Sequence, residues 1–312
     1  MSDDRGPDES WIPAYAGLTE KELNEKACIL NDIISDCTLC PRNCHVNRTV
    51  GQRGFCRSGH LPSVSSWGPH LGEEKPLVGR HGSGTIFLSN CNLGCLFCQN
   101  YTISHLGEGA EISFETLADI MISLQNKGCH NINFVTPTHQ IAAIVRAVGI
   151  ASGKGLRLPL VYNCGGYESV ETLKVLDGII DIYMPDFKYW DSRYAGHYSG
   201  AEDYPQIARS ALKEMQRQVG DLVIDSSGLA RKGLLLRHLV LPAGIAGTEE
   251  IMRFVAGEIS VNTYVNIMDQ YHPCYKAVDD PLLDRPVTSQ EYRAAIQAAL
   301  RAGLRRIDGV TC

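Results

Sequence analysis

From residue 85 onward, short apolar runs alternate with windows whose apolar positions recur every three or four residues. That alternation is the sequence form of βα units feeding a parallel sheet. Six runs read as strands, over 85–89, 132–135, 158–163, 179–185, 234–241 and 263–268. Between the first two, Ser113 is placed to cap a helix with Phe114, Leu117, Ala118, Met121 and Leu124 on one face and Gly128 as its stop. Helices are also expected over 139–152, after Ser169, from Pro205 and from Thr248. Thr288 with Glu291 three residues later is a capping box for a last helix that runs to Ala302 and ends at Gly303. The stretch 222–224, the turn-like Asp225-Ser226-Ser227-Gly228 and the run from Leu234 read as a hairpin feeding the fifth strand. Six units are too few to close an eight-stranded barrel. The expected fold is α/β, a partial (β/α)6 TIM-type barrel whose site lies at the C-terminal ends of its strands.

The first 84 residues lack this pattern. Positions 1–20, with Gly6, Pro7, Pro13 and Gly17, read as a loose leader, and 21–36 as one short helix. The segment 37–84 is rich in Gly, Pro, Arg and His without sustained periodicity, so a metal rather than a core of its own is expected to hold it. The chain thus divides into a leader and helix (1–36), a cysteine-rich metal-binding module (37–84), the barrel (85–275) and a C-terminal helical extension (276–312).

Composition narrows the class. A chain of 312 residues buries about three quarters of its unfolded surface, enough for one large domain with a small appendage. No run reaches the eighteen or so apolar residues of a membrane span, so no membrane partner is expected. Of the net charge of −6, residues 1–26 carry −4. Residues 37–60 hold Arg42, Arg48, Arg53 and Arg57 and no carboxylate. Interleaved with four cysteines, these arginines are better placed to offset thiolate charge than to bind nucleic acid. The N-terminus has no basic region followed by an apolar run, so a reducing, cytoplasmic setting is expected. There, clustered members of the chain's 12 cysteines bind metal or do chemistry.

The sharpest chemical signal is Ser89-Asn90-Cys91-Asn92-Leu93-Gly94-Cys95-Leu96-Phe97-Cys98-Gln99-Asn100. Three cysteines, spaced by three and then two residues, directly follow the first strand. Three thiolates can hold three irons of a [4Fe-4S] cube and leave the fourth iron open; a zinc knot would take a fourth Cys or His close by. Gly94 is read as the tight turn between ligands and Phe97 as an apolar wall.

This spacing, with an aromatic before the last cysteine, resembles the signature of the radical S-adenosylmethionine superfamily. The wider match, over residues 37–275, resembles the pyruvate formate-lyase activating-enzyme group and its relatives with an N-terminal cysteine-rich segment. The resemblance implies that S-adenosylmethionine chelates the open iron of a cluster on Cys91, Cys95 and Cys98. One electron then cleaves it to methionine and a 5′-deoxyadenosyl radical, which abstracts hydrogen from a substrate. It also implies a flavodoxin- or ferredoxin-type electron donor and, for the activating-enzyme group, a glycyl-radical enzyme as partner. Cofactor contacts carried over are Asn100 beside the cluster, Asp186 and Lys188 after the fourth strand, Arg237 in the fifth and His272 after the sixth. Asn163 at the end of the third strand joins them. Where the group has Gly-Gly-Glu after the second strand, this chain has Val135-Thr136-Pro137-Thr138-His139. Thr136 and Thr138 there offer hydroxyl or carbonyl acceptors but no carboxylate. The familiar Cys-His-Asn is Cys98-Gln99-Asn100.

A second group, Cys37, Cys40, Cys44 and Cys56, suffices for a closed zinc site or a further iron-sulfur centre, and spacing alone does not choose between them. Cys28, Cys129, Cys274 and Cys312 stand singly and read as small apolar fillers. Cys164, before Gly165-Gly166, ends the third strand, where the glycines allow close approach to a ligand. The aromatic stretch 188–204 is read as a loop on the active face. Three functional readings stand: an activase for a glycyl-radical protein, a radical catalyst for a small molecule or peptide, and a non-catalytic iron-sulfur or zinc carrier or scaffold.

Overall fold

The computed structural model describes residues 11–309; Gly6, Pro7 and Cys312 lie outside the described residues. Its strands are β1 (Ser63–His70), β2 (Ser83–Leu88), β3 (Ala110–Glu111), β4 (Ile132–Val135), β5 (Leu160–Cys164), β6 (Ile182–Pro185), β7 (Val223–Ile224), β8 (Ala230–Leu239), β9 (Tyr264–Met268) and β10 (Arg306–Ile307). Its helices are α1 (Glu20–Ser35), α2 (Lys75–Val78), α3 (Tyr101–Ser104), α4 (Phe114–Asn126), α5 (Ile141–Gly153), α6 (Val170–Val175), α7 (Ser192–Ser199), α8 (Tyr204–Val219), α9 (Thr248–Phe254) and α10 (Ser289–Ala302). The sheet runs in the order β10-β9-β8-β6-β5-β4-β2-β1-β3. From β2 to β10 all neighbours on this path are parallel, with helices in the crossovers. This is the mixed α/β, partial (β/α)6 barrel that the apolar runs predict.

The register explains why those runs are nearly continuous. Ile86, Phe134, Tyr162, Tyr183 and Leu234 are successive cross-strand partners and pack in one core with Leu117, Met121, Ile144 and Val148 of the outer helices. The next row, Thr85, Asn133, Val161 and Ile182, faces the barrel interior. Leu77 fills that interior with Val161, Ile182, Met184 and Leu235. A strand buried on both faces shows no alternation.

Helix boundaries follow their chemistry. Thr19 and Thr288 each accept from a glutamate N–H three residues on while that glutamate's carboxylate accepts in return. Ser113 and Ser169 cap α4 and α6, and Gly303 ends α10 in the left-handed conformation. The helix expected from Pro205 begins one residue earlier, at Tyr204. The expected hairpin forms as β7 and β8, and its pairing lengthens β8 back to Ala230.

Three readings are corrected. Residues 63–70, inside the segment without periodicity, form β1, antiparallel to β2. β1 flanks the parallel array, and seven of its eight residues are less buried than any in β5; its Ser, Gly, Pro and His content hides it. Residues 192–199, read within a loop, are α7, capped by Asp191. Cys28 is exposed and fills no core. Among the described residues no helix is long and apolar enough to cross a membrane.

Candidate metal and cofactor site

The chain leaves β2 through Ser89, whose N–H donates to Ser63 O at 2.9 Å, and turns at Asn90 in the left-handed region, φ 71°. The turn expected at Gly94 therefore lies at Asn90; Gly94 keeps an ordinary φ, and a Cβ there would come no nearer than 3.5 Å to its surroundings. The 91–98 loop lies along the end of α7, with Gly94 N–H donating to Ser199 O (3.0 Å) and Leu96 N–H to Tyr198 O (2.8 Å). Cys91 Sγ accepts from Leu93 N–H (3.3 Å), Cys95 Sγ lies 2.9 Å from Ser199 Oγ, and Cys98 Sγ lies 3.1 Å from Ser104 Oγ. Phe97 is buried edge-on between Tyr189 and Tyr271.

Burial pushes the Cys91 thiol up, and the charges of Cys95 and Cys98 add to the rise. Burial also raises Cys95, while Lys188 works against it. The three sulfurs therefore share one electrostatic neighbourhood with Lys188. Among the described residues, no three His, Cys, Asp or Glu side chains converge at a single ion's spacing. A cube spreads its thiolates over three irons and asks for wider separation than one ion does.

Beside this loop, Asp186 and Lys188 follow β6 and form a partly buried ion pair. Burial alone would raise the Asp186 carboxyl, but Lys188 and Arg237 hold it below its usual range. Asp186 Oδ1 and Arg237 Nε lie 3.2 Å apart, and neither atom has a well-aligned hydrogen bond. Arg237 also faces Glu74, 3.4 Å away. These are under-satisfied, charged atoms at strand ends, as a zwitterionic ligand with its own ammonium and carboxylate would require. The donor set fits both groups that the sequence implies: three thiolates for the cluster, and Asp186, Lys188 and Arg237 for the polar end of S-adenosylmethionine.

The other expected residues lie around this centre at varying depth. Gln99 and His272 meet at the exposed mouth, Nε2 to Nδ1 3.5 Å, and Asn100 is exposed at the start of α3. Thr136 takes a left-handed φ of 61°, unusual for a β-branched residue, and donates its N–H to Asn163 O at 2.8 Å. Thr138 is buried, and its hydroxyl donates to Glu168 (2.7 Å), whose other oxygen accepts from Tyr162 (2.8 Å). The carboxylate missing after β4 is thus supplied to Thr138 from beyond β5. The Gly165-Gly166 pair makes room for protein rather than ligand, since a Cβ on Gly166 would lie 2.3 Å from Asp186 O and one on Gly165 2.9 Å from Leu93.

Cys37, Cys40, Cys44 and Cys56 line one cavity together with Arg42, Arg48 and His139. Two of the contacts that matter have no local sequence signal. Arg42 reaches from this cavity to the 91–98 loop, donating from Nε to Asn92 O at 2.9 Å and from its terminal nitrogens to Ser199 O and Gly200 O. Ser199, which meets Cys95, is 104 residues away from it in sequence.

No family model matches the sequence. Among solved structures the chain is similar to HydG, a maturase of the [FeFe]-hydrogenase (TM-score 0.49, 13% identity, 70% of this chain and 49% of that one). It is also similar to anSMEcpe with bound AdoMet (0.48, 10%, 70% and 61%) and to Streptococcus suis SuiB bound to its precursor peptide SuiA (0.46, 11%, 68% and 43%). It thus spans between two fifths and three fifths of those chains. Two proteins of Methanocaldococcus jannaschii match most of its length. The uncharacterized protein MJ0808 is 24% identical over 89% of this chain and 81% of its own. The uncharacterized protein MJ0674 is 31% identical over 292 residues, 90% of this chain and 79% of its own. On that identity and coverage, the chain belongs to the family of MJ0674.

Proposed function

We propose that the chain is a radical S-adenosylmethionine enzyme. The observation that carries this reading is the convergence, at the C-terminal ends of the strands, of Cys91, Cys95 and Cys98 with the Asp186, Lys188 and Arg237 charge string. Cys91, Cys95 and Cys98 would hold a [4Fe-4S] cluster, and that group would supply the electron for reductive cleavage of S-adenosylmethionine.

The chain's own residues bind and orient. Lys188, whose charge acts on Cys95, would receive the methionyl carboxylate, and Asp186 would accept from the ammonium or ribose. Thr136 and Asn163 sit at neighbouring strand ends as further polar contacts, with Asn100, Gln99 and His272 at the rim. Phe97, Tyr189 and Tyr271 exclude water from one side of the loop. A flavodoxin- or ferredoxin-type donor, in the reducing cytoplasm that eleven unpaired cysteines among the described residues favour, would supply the electron. The finer form of the proposal is an activating enzyme for a glycyl-radical protein, supported by the resemblance at Asp186 and Lys188.

The test is anaerobic reconstitution with iron and sulfide, then dithionite and S-adenosylmethionine. The expected product is 5′-deoxyadenosine, lost when Cys91, Cys95 or Cys98 is replaced by Ala. An intact cluster with no 5′-deoxyadenosine would instead favour an electron carrier.

A further inference from the structure

The segment 37–62 is ordered with little regular structure, and its geometry converges on the four-cysteine cavity. Cys37 and residues 45–46 exchange backbone hydrogen bonds (Cys37 N–H to Val46 O 3.0 Å, His45 N–H to Cys37 O 3.1 Å), and Asn43 N–H turns back onto Cys40 O. Asn43 and His45, on either side of Cys44, and Arg57, after Cys56, all take left-handed φ values of 43°, 51° and 57°. Three non-glycine residues in that region persist only where their surroundings over-determine them. Cys44 Sγ accepts from Phe55 N–H at 3.4 Å, and Gly54 packs so closely that a Cβ would lie 2.7 Å from that sulfur.

Charge and size say what the cavity takes. Arg48 is 3% exposed, donates to Gly59 O and places Nη1 4.0 Å from Cys37 Sγ. Among the described residues it pairs with no carboxylate. A buried guanidinium needs a counter-charge, and four thiolates around one divalent cation carry a net charge of −2, whereas four thiols carry none. His139 is 1% exposed and lines the same cavity; its Nε2–H donates to Ser89 O (2.8 Å), and its Nδ1 has no partner. The space between these groups is small and enclosed, with room for about one small particle. The thiols do not yet converge at an ion's spacing, and rotation about their Cα–Cβ bonds is the movement that ligation calls for.

We propose that Cys37, Cys40, Cys44 and Cys56 bind one zinc-class divalent ion in a closed tetrathiolate site, and that this site braces the 91–98 loop through Arg42. Arg42 lies between two of the ligands, stacks 3.8 Å over Phe55 and 5.2 Å from the Tyr167 ring, and holds Asn92 O and Ser199 O. The module thereby fixes the backbone between Cys91 and Cys95. Ligation releases the thiol protons to solvent and changes no oxidation state.

The metal content of a chain with Cys91, Cys95 and Cys98 all replaced by Ala separates this proposal from the radical reading, because no cluster can form on that loop. One zinc per chain without acid-labile sulfide is expected, with an intense thiolate-to-cobalt charge-transfer band after cobalt exchange. Iron with sulfide in that variant, or a folded chain that takes up no zinc, overturns the proposal. Should the triple variant not fold, zinc is counted in the wild-type chain and in the Cys40→Ser variant: one zinc per chain that is lost in the variant supports the proposal, and zinc-free wild-type protein overturns it. Cys40→Ser should abolish zinc retention through gel filtration; unchanged retention overturns the ligand assignment. Arg42→Ala should keep the zinc while amide exchange over 91–98 rises about tenfold; unchanged exchange overturns the bracing role.

Discussion

Glu168 illustrates how one side chain ties stability to the site. It is 3% exposed and accepts from Thr138 and Tyr162. Burial pushes its carboxyl up from 4.5 to about 7, a rise those two hydrogen bonds only partly offset. The folded chain therefore binds this proton more tightly than the unfolded chain. The resulting stabilisation is full below about 4.5 and is lost as pH rises through about 7. Asp181, raised by burial to about 7 as well, works in the same window. The buried histidines His139 and His238, lowered to about 4, act in the opposite sense up to about pH 6.5, so the comparison is between variants: relative to wild type, Glu168→Gln should remove up to about 3 kcal/mol of stability loss between pH 5 and 8. Urea midpoints at the two pH values measure it; an unchanged pH dependence in the variant would place the titration elsewhere.

At the scale of elements, the junction of β5 with β6 sets where Asp186 and Lys188 stand. Asp186 N–H donates to Cys164 O at 2.9 Å, and Gly166, with φ 78°, passes directly beneath Asp186 O. Gly166→Ala meets both an unfavourable φ and a backbone clash, so a loss of about 2–4 kcal/mol is expected. Gly94→Ala, in the cysteine loop itself, meets neither and should change stability by less than about 1 kcal/mol. Urea unfolding of the two variants tests that contrast, and it is the reverse of what the sequence alone suggests for Gly94. The parallel strands were legible because two-sided burial writes an unbroken apolar run, and the capped helices because Ser113, Ser169 and Thr288 each bond locally. β1 was not, since its neighbour on one side is only the two-residue β3 and its partial exposure imposes little on its composition. Likewise the cysteines announce themselves by spacing, whereas Ser199, Ser104 and Asn92 act through contacts that only the fold creates.

For the whole molecule, the open barrel must keep a polar interior ordered, and the connection between β1 and β2 does this. Glu74, 6% exposed, enters the interior from the N-terminal ends of the strands. There it accepts from Asn266 Nδ2 of β9 at 3.1 Å and lies 3.4 Å from Arg237 Nε of β8. Leu77, three residues on, is fully buried against β5, β6 and β8. A segment next to the cysteine module in sequence thus reaches the same arginine that faces Asp186. Glu74→Ala should cost about 1–3 kcal/mol, because it leaves Asn266 unsatisfied and removes one of two carboxylates from Arg237. Glu74→Gln should cost less, since its amide oxygen still accepts from Asn266 and Arg237 keeps Asp186. Urea midpoints at constant m measure both. If the barrel's polar interior is held as a unit, Glu74→Ala and Asp186→Ala will be non-additive, since each variant leaves Arg237 depending on the other's carboxylate. The double variant should then be less stable than the sum of the single losses by at least about 0.5 kcal/mol. Strict additivity would mean that Arg237 serves two independent contacts, and that the plug stabilises the barrel without touching the site.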